Sequence, residues 1–210
     1  MCSRSSVLLA LALVLTACQD MVVYRAGQDY VPLDVGSSWK YLVDGDTTYR
    51  EVLGDSSIGG RLSTIVAEDF LPGFWVAEPT RVSRYYDRTC NLGGQDYTLE
   101  ARYGLVYLFP FVAGNGWSEE FRATVVVLGN DTIPVFHRLE AHVAGVESVA
   151  TPAGTFYDCY RLEMHEEVYD TDTSVTTWTE WLAPGVGLVR RLSGAGDMLL
   201  AEYRIGPASE

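Results

Sequence analysis

The sequence predicts a mainly β protein: a curved antiparallel sheet, half-barrel or open barrel, with at most short helices. Three observations carry this. Apolar and polar residues alternate with period two through most of the chain, as in Ile133, Val135, His137, Leu139 and Ala141 against Arg138, Glu140 and His142. Clusters of Gly, Pro, Asn and Asp punctuate the strands every 8–14 residues or so. Outside the first eighteen residues, no window sustains an apolar repeat of helical period.

In chain order, Tyr30 to Tyr41 opens the domain, with Trp39, Tyr41 and Val43 on one strand face. Asp44-Gly45-Asp46 turns into a strand over Thr47 to Leu53. Its acidic pair is a turn and not a calcium loop, because Tyr49 and Asp55 stand where an EF-hand needs Gly and Glu. Arg61 to Glu68 is a strand, Phe70 to Trp75 an aromatic loop or edge, and Thr80 to Asp87 a further strand. A short helix is expected around Gln95 to Arg102. Leu105 to Val112 is apolar on both faces, as in a covered central strand. Phe121 to Leu128 and Ile133 to Val143 form a hairpin around Gly129-Asn130-Asp131. Pro152 to Thr155 and Ala183 to Gly187 are tight turns, since Pro presets one dihedral and Gly supplies the positive φ that other residues resist. Between them Leu162, Met164 and Val168 continue an apolar row from Tyr160, which Glu166 interrupts as at a bulge or a wet strand end. Leu199 to Ile205 closes a count of about ten strands.

The N-terminus reads as an export signal. Arg4 precedes Val7 to Leu15, an apolar run too short to span roughly 30 Å of hydrocarbon as a helix. The division expected is signal peptide 1–17, tether 18–29, one antiparallel β domain 30–206 and a tail 207–210. Of 210 residues, 28 are acidic and 15 basic, a net charge of −13. That balance repels phosphate backbones, so nucleic acid is excluded as a partner.

Chemistry-bearing constellations are sparse. Glu163, His165 and Glu167 share a strand face, and a solvated face is the expected reading, with no metal. His137, on an apolar face, reads as a core histidine bonded to a neighbour. No nucleophile elbow, phosphate loop or zinc-protease motif is present, and no cofactor is expected. Cys90 and Cys159 would close a disulfide in an oxidising envelope, contributing about 4 kcal/mol, or stand as two buried thiols. The aromatics Phe70, Phe74, Trp75, Tyr85, Tyr107, Phe109, Phe111 and Trp117 crowd the middle third. On an uncovered concave face they are a hydrophobic-ligand pocket; plugged by loops they are core.

Leu15-Thr16-Ala17-Cys18 resembles the bacterial lipobox at every position. The resemblance implies that Cys18 is acylated and that the chain is anchored in the cell envelope, facing the periplasm or the exterior. Val149 to Tyr160, then Trp181-Leu-Ala-Pro-Gly-Val-Gly-Leu-Val-Arg190, then Ala201-Glu-Tyr-Arg204, resemble a broad group of uncharacterised bacterial envelope proteins. So does the opening Tyr30-Val-Pro-Leu33 with Trp39-Lys-Tyr41. Their fold is similar to the lipoprotein-carrier half-barrel, whose concave face holds acyl chains. An anchored chain departs from soluble carriers, so no shuttle role is implied. The resemblance implies a non-enzymatic envelope module that binds a hydrophobic ligand, an acyl chain or a lipoprotein. A structural envelope protein meeting a protein or polysaccharide through surface aromatics is the second reading.

Overall fold

The computed structural model describes residues 29–170 and 172–207. Cys18, the signal segment, the tether up to residue 28 and residues 208–210 lie outside the described residues. The strands are β1 (Ser38–Val43), β2 (Asp46–Ile58), β3 (Arg61–Glu68), β4 (Leu71–Glu78), β5 (Arg81–Leu92), β6 (Gln95–Leu108), β7 (Gly116–Val126), β8 (Thr132–Thr151), β9 (Gly154–Tyr169), β10 (Thr173–Ala183), β11 (Gly187–Ser193) and β12 (Gly196–Arg204). Helix among the described residues is confined to a 3₁₀ turn, Leu128–Asn130, and residues 29–30.

All twelve strands join one antiparallel sheet, nearly closed and barrel-shaped. Each strand pairs with its neighbours in sequence, with two exceptions. The first and last strands pair, Trp39 opposite Tyr203, and β6 and β7 form the seam where the sheet order ends. Side chains of β7 bridge that seam. Glu119 accepts from the Leu105 N–H at 2.7 Å and pairs with Arg102, and the Trp117 indole donates to the Val106 carbonyl at 3.1 Å. The bridge satisfies edge groups that a ladder would otherwise pair.

Two sequence expectations are overturned around this seam. Residues Gln95 to Arg102 are strand, not helix. Gly93 and Gly94, at φ 58° and 83°, turn β5 back on itself, and pairing of Asp87 with Ala101 and Thr89 with Thr98 overrides the local helical leaning of Leu-Glu-Ala-Arg. Leu105 to Val112 is not a central strand. β6 ends at Leu108 on the seam, and the chain then leaves the sheet through a cis Phe109–Pro110 bond. Both faces are apolar because the segment becomes a plug: Phe109 and Phe111 are buried against Tyr30, Tyr160 and Trp117, with ring centroids 4.3–6.4 Å apart. Leu71 to Trp75 is likewise not a loop or edge, since β4 lies between β3 and β5, and only Phe70 stays in the turn before it.

The hairpin of β7 and β8 and the block β9–β11 form as the alternation requires, Gly116 to Val126 pairing with Thr132 to His142 without a break. Outward rows of β8 and β9 carry a cross-strand ion pair, Arg138 with Glu167 at 3.0 Å, and His142 lies 3.5 Å from Glu163. On this face Glu163 is exposed and His165 and Glu167 are half-buried; among the described residues no group of three or more His, Cys, Asp or Glu is placed to hold a metal.

Candidate binding cavity

The inward row of β8 sets out the interior in order. Ile133 and Val135 join Leu99 in a small apolar cluster, His137 enters a charged network, Leu139 lines a cavity, and Ala141 and Val143 belong to the main core. The cavity is about 290 Å³. Glu68, Trp75, Arg84, Tyr86, Val106 and Tyr107 form one wall, from β3 to β6. Leu139, Glu166, Thr176, Trp178, Glu180, Arg191 and Ser193 form the other, from β8 to β11. Its floor, Trp75, Tyr107, Leu139 and Glu180, is buried, whereas Arg84 and Thr176 stand exposed at its mouth. A second space of about 230 Å³, beside Tyr41 and Arg50, meets it at Glu68 and Arg191.

Glu180 is 1% exposed and is held by four donors. The Tyr107 hydroxyl donates at 2.7 Å, the Trp178 indole at 2.8 Å, and Arg191 donates through Nε at 3.0 Å and Nη2 at 2.8 Å. Burial alone would raise its pKa, but the Arg191 charge and these donors outweigh it and hold the carboxyl below the usual range. Burial pushes the Tyr107 phenol well up, so it stays a neutral donor.

Beside the cavity, His137 Nδ1 lies 3.1 Å from Glu100 and Nε2 3.0 Å from Glu166, with Tyr86 edge-on at 4.5 Å. Glu100 also meets Arg102 at 2.9 Å and Arg88 at 3.4 Å. Burial would depress His137, but the bonds and charges of Glu100 and Glu166 push it up to about 8 from an ordinary 6.5. The core histidine expected from the alternation is therefore present. Glu166 marks neither a bulge nor a wet end, since β9 keeps register with β8 and β10 there and the carboxylate turns inward to His137.

This geometry sets a pH dependence. His137 contributes its full stabilisation below about pH 6.5 and loses it as pH rises through about 8, some 2 kcal/mol in all. Glu100, held low, acts in the opposite sense and loses its contribution as pH falls through its depressed folded value. Urea unfolding at about pH 6 and about pH 9 is expected to show the loss at the higher pH, and His137→Gln is expected to flatten that difference.

Trp75 belongs to a ladder of alternating indoles and guanidiniums. Arg50 lies 5.6 Å from the Trp39 ring and 5.2 Å from that of Trp75, and Arg84 lies 5.7 Å from the Trp75 ring. Register places Trp39 opposite Arg50 and Trp75 opposite Arg84. Gly73 makes room for it, since a Cβ there would stand 3.1 Å from the Trp75 indole nitrogen.

Of the eight aromatics singled out in the sequence, only Trp75 and Tyr107 line this cavity. Phe109, Phe111 and Trp117 are packed into the aromatic plug, Phe74 and Tyr85 are half-buried elsewhere, and Phe70 is 94% exposed at the β3–β4 turn. The charged lining, Glu180 and Arg191 above all, was not singled out. Its one local signal is a carboxylate in an inward row, Glu180 between Trp178 and Leu182.

The expected disulfide is not formed: Cys90 and Cys159 are free thiols, Cys90 packed against the small cluster and Cys159 in the main core. Burial pushes the Cys159 thiol up to about 11. Maleimide treatment of the native chain is expected to label the half-buried Cys90 and spare Cys159, with both labelled after unfolding, as peptide mass mapping would read.

A family model described as DUF3108-like matches residues 129–193, which run from the turn before β8 to the end of β11. These strands supply His137, Glu166, Glu180 and Arg191. Two solved structures are also similar. One, from Parabacteroides distasonis, is described as a "putative lipoprotein"; it is 15% identical, with 83% of this chain and 98% of that chain covered and a TM-score of 0.49. The other, from Bacteroides fragilis, is described as a "putative exported protein with YmcC-like fold"; it is 13% identical, with 80% and 93% covered and a TM-score of 0.39. Likenesses this remote carry no function across. No curated protein matches the chain.

Proposed function

We propose that this chain is a non-enzymatic lipoprotein of the bacterial envelope, anchored through Cys18, whose sheet interior binds a small amphipathic molecule. The cavity carries the reading: it opens to solvent at Arg84 and Thr176 and descends to an aromatic floor at Trp75 and Tyr107. Its charged lining makes an amphipathic occupant a better fit than a bare acyl chain, which would leave those groups desolvated. Glu180, held low by Arg191 and its donors, does not suit the acid of a glycosidase, which needs a raised carboxyl pKa. The anchor rests on Leu15-Thr16-Ala17-Cys18. Cells fed labelled palmitate should transfer label to the chain and not to Cys18→Ser. Tryptophan emission of the Cys18→Ser chain should shift on adding small amphiphiles extracted from the same cells; no shift with any fraction would sink the binding reading.

The surface reading has its own observation. Phe70 sits at φ 71° after Asp69 at φ 47°, a left-handed pair that bulky residues resist, and Leu71 beside it is 75% exposed. If this tip meets an envelope partner, Phe70→Ser with Leu71→Ser should abolish that association and leave tryptophan responses intact.

A further inference from the structure

We infer that the cavity takes a single-chain amphiphile with one anionic head, a carboxylate or a phosphate, seated on Arg84. The inference rests on the binding reading above and names the class of ligand. Each carboxylate in the lining already has its own cation: Glu180 has Arg191 at 2.8 Å, Glu166 has His137 at 3.0 Å, and Glu68 has Arg50 at 3.8 Å. Arg84 is the exception. Its guanidinium stacks over Trp75 and has no hydrogen-bond or ion-pair partner among the described residues. A chain of net charge −13 thus presents one uncommitted cation at the mouth of its cavity.

The setting favours an anion there. The Trp75 ring lies beside the guanidinium, 5.7 Å from it, and narrows the side-chain freedom to be lost on binding. A planar fork of donors suits a carboxylate or phosphate held by two bonds. A ligand cation is less well served, since Glu166 and Glu180 are hydrogen-bonded and only Glu68, 3.8 Å from Arg50, is loosely paired. Below the head, Trp75 and Trp178 offer apolar surface, and about 290 Å³ falls at the small end of ligand sites, enough for one chain.

Calorimetric titration of the Cys18→Ser chain with decanoate, decyl phosphate and decanol tests this. Both anions are expected to bind more tightly than decanol. Arg84→Gln should weaken them by about tenfold or more and leave decanol unchanged, and Arg84→Lys, which keeps the charge but not the fork, should recover only part of the loss. The tighter of the two anions tells a free carboxylate from a phosphate head. If decanol binds as tightly as the anions and Arg84→Gln changes nothing, the anionic assignment is overturned while the cavity keeps its binding role. If none of the three binds, the binding role falls with it.

Discussion

Glu180→Ala is expected to lose about 3 kcal/mol of stability, the largest loss of any single side chain considered, because it takes a buried acceptor from four hydrogen bonds at once. Arg191, whose side chain is about a third exposed, gives two of its donors to this fully buried carboxylate. The Tyr107 hydroxyl and the Trp178 indole lose their acceptor at the same time. Tyr107 comes from β6 and Arg191 from β11, so this carboxylate ties the two walls of the cavity together. Glu180→Gln keeps the shape and an acceptor oxygen and should cost less. Urea unfolding near neutral pH gives both values. A loss below about 1 kcal/mol for the alanine variant would mean that the carboxylate is solvated and does not bridge the walls.

Gly116→Ala should be the next most damaging change, at about 2–3 kcal/mol. Gly116 begins β7 at the seam, opposite His142, and a Cβ there would stand 2.5 Å from the Ala141 carbonyl oxygen. The obstacle is backbone in the middle of the longest strand, so no rotamer can relieve it. The start of β7 must move away from β8, which loosens Trp117 and with it the bond to the Val106 carbonyl across the seam. Gly145→Ala is the control. A Cβ at Gly145 meets nothing within 4 Å, and the change should stay within about 0.5 kcal/mol of wild type. Equal losses at the two glycines would show that the clash is relieved by movement of the strand.

Much of the fold was legible because it rests on local pairing. The hairpin of β7 and β8, the turn at Pro152 to Thr155 and the run from β9 to β11 follow from alternation and turn chemistry over short stretches. Misreadings fell where a distant partner decides. Gln95 to Arg102 has helical composition until β5 is there to pair with it, and Leu105 to Val112 reads as a covered strand until Tyr30 and Tyr160 arrive to bury Phe109 and Phe111. The site was harder still. Tyr107 meets Glu180 across 73 positions and His137 meets Glu100 across 37, spacings that no motif encodes. A carboxylate in an inward row, Glu166 after Leu162 and Met164 or Glu180 beside Trp178 and Leu182, was the only mark the chain offered. Aromatic crowding pointed to Trp75 and Tyr107, but it could not separate them from the rings that fill the plug.

The most direct test of the binding account is native mass spectrometry of the Cys18→Ser chain recovered from its own cells. The account expects one small-molecule adduct per chain, lost when Thr176→Trp fills the mouth of the cavity without touching its floor. A chain that carries no adduct, and takes up none after incubation with an extract of the same envelope, would contradict it.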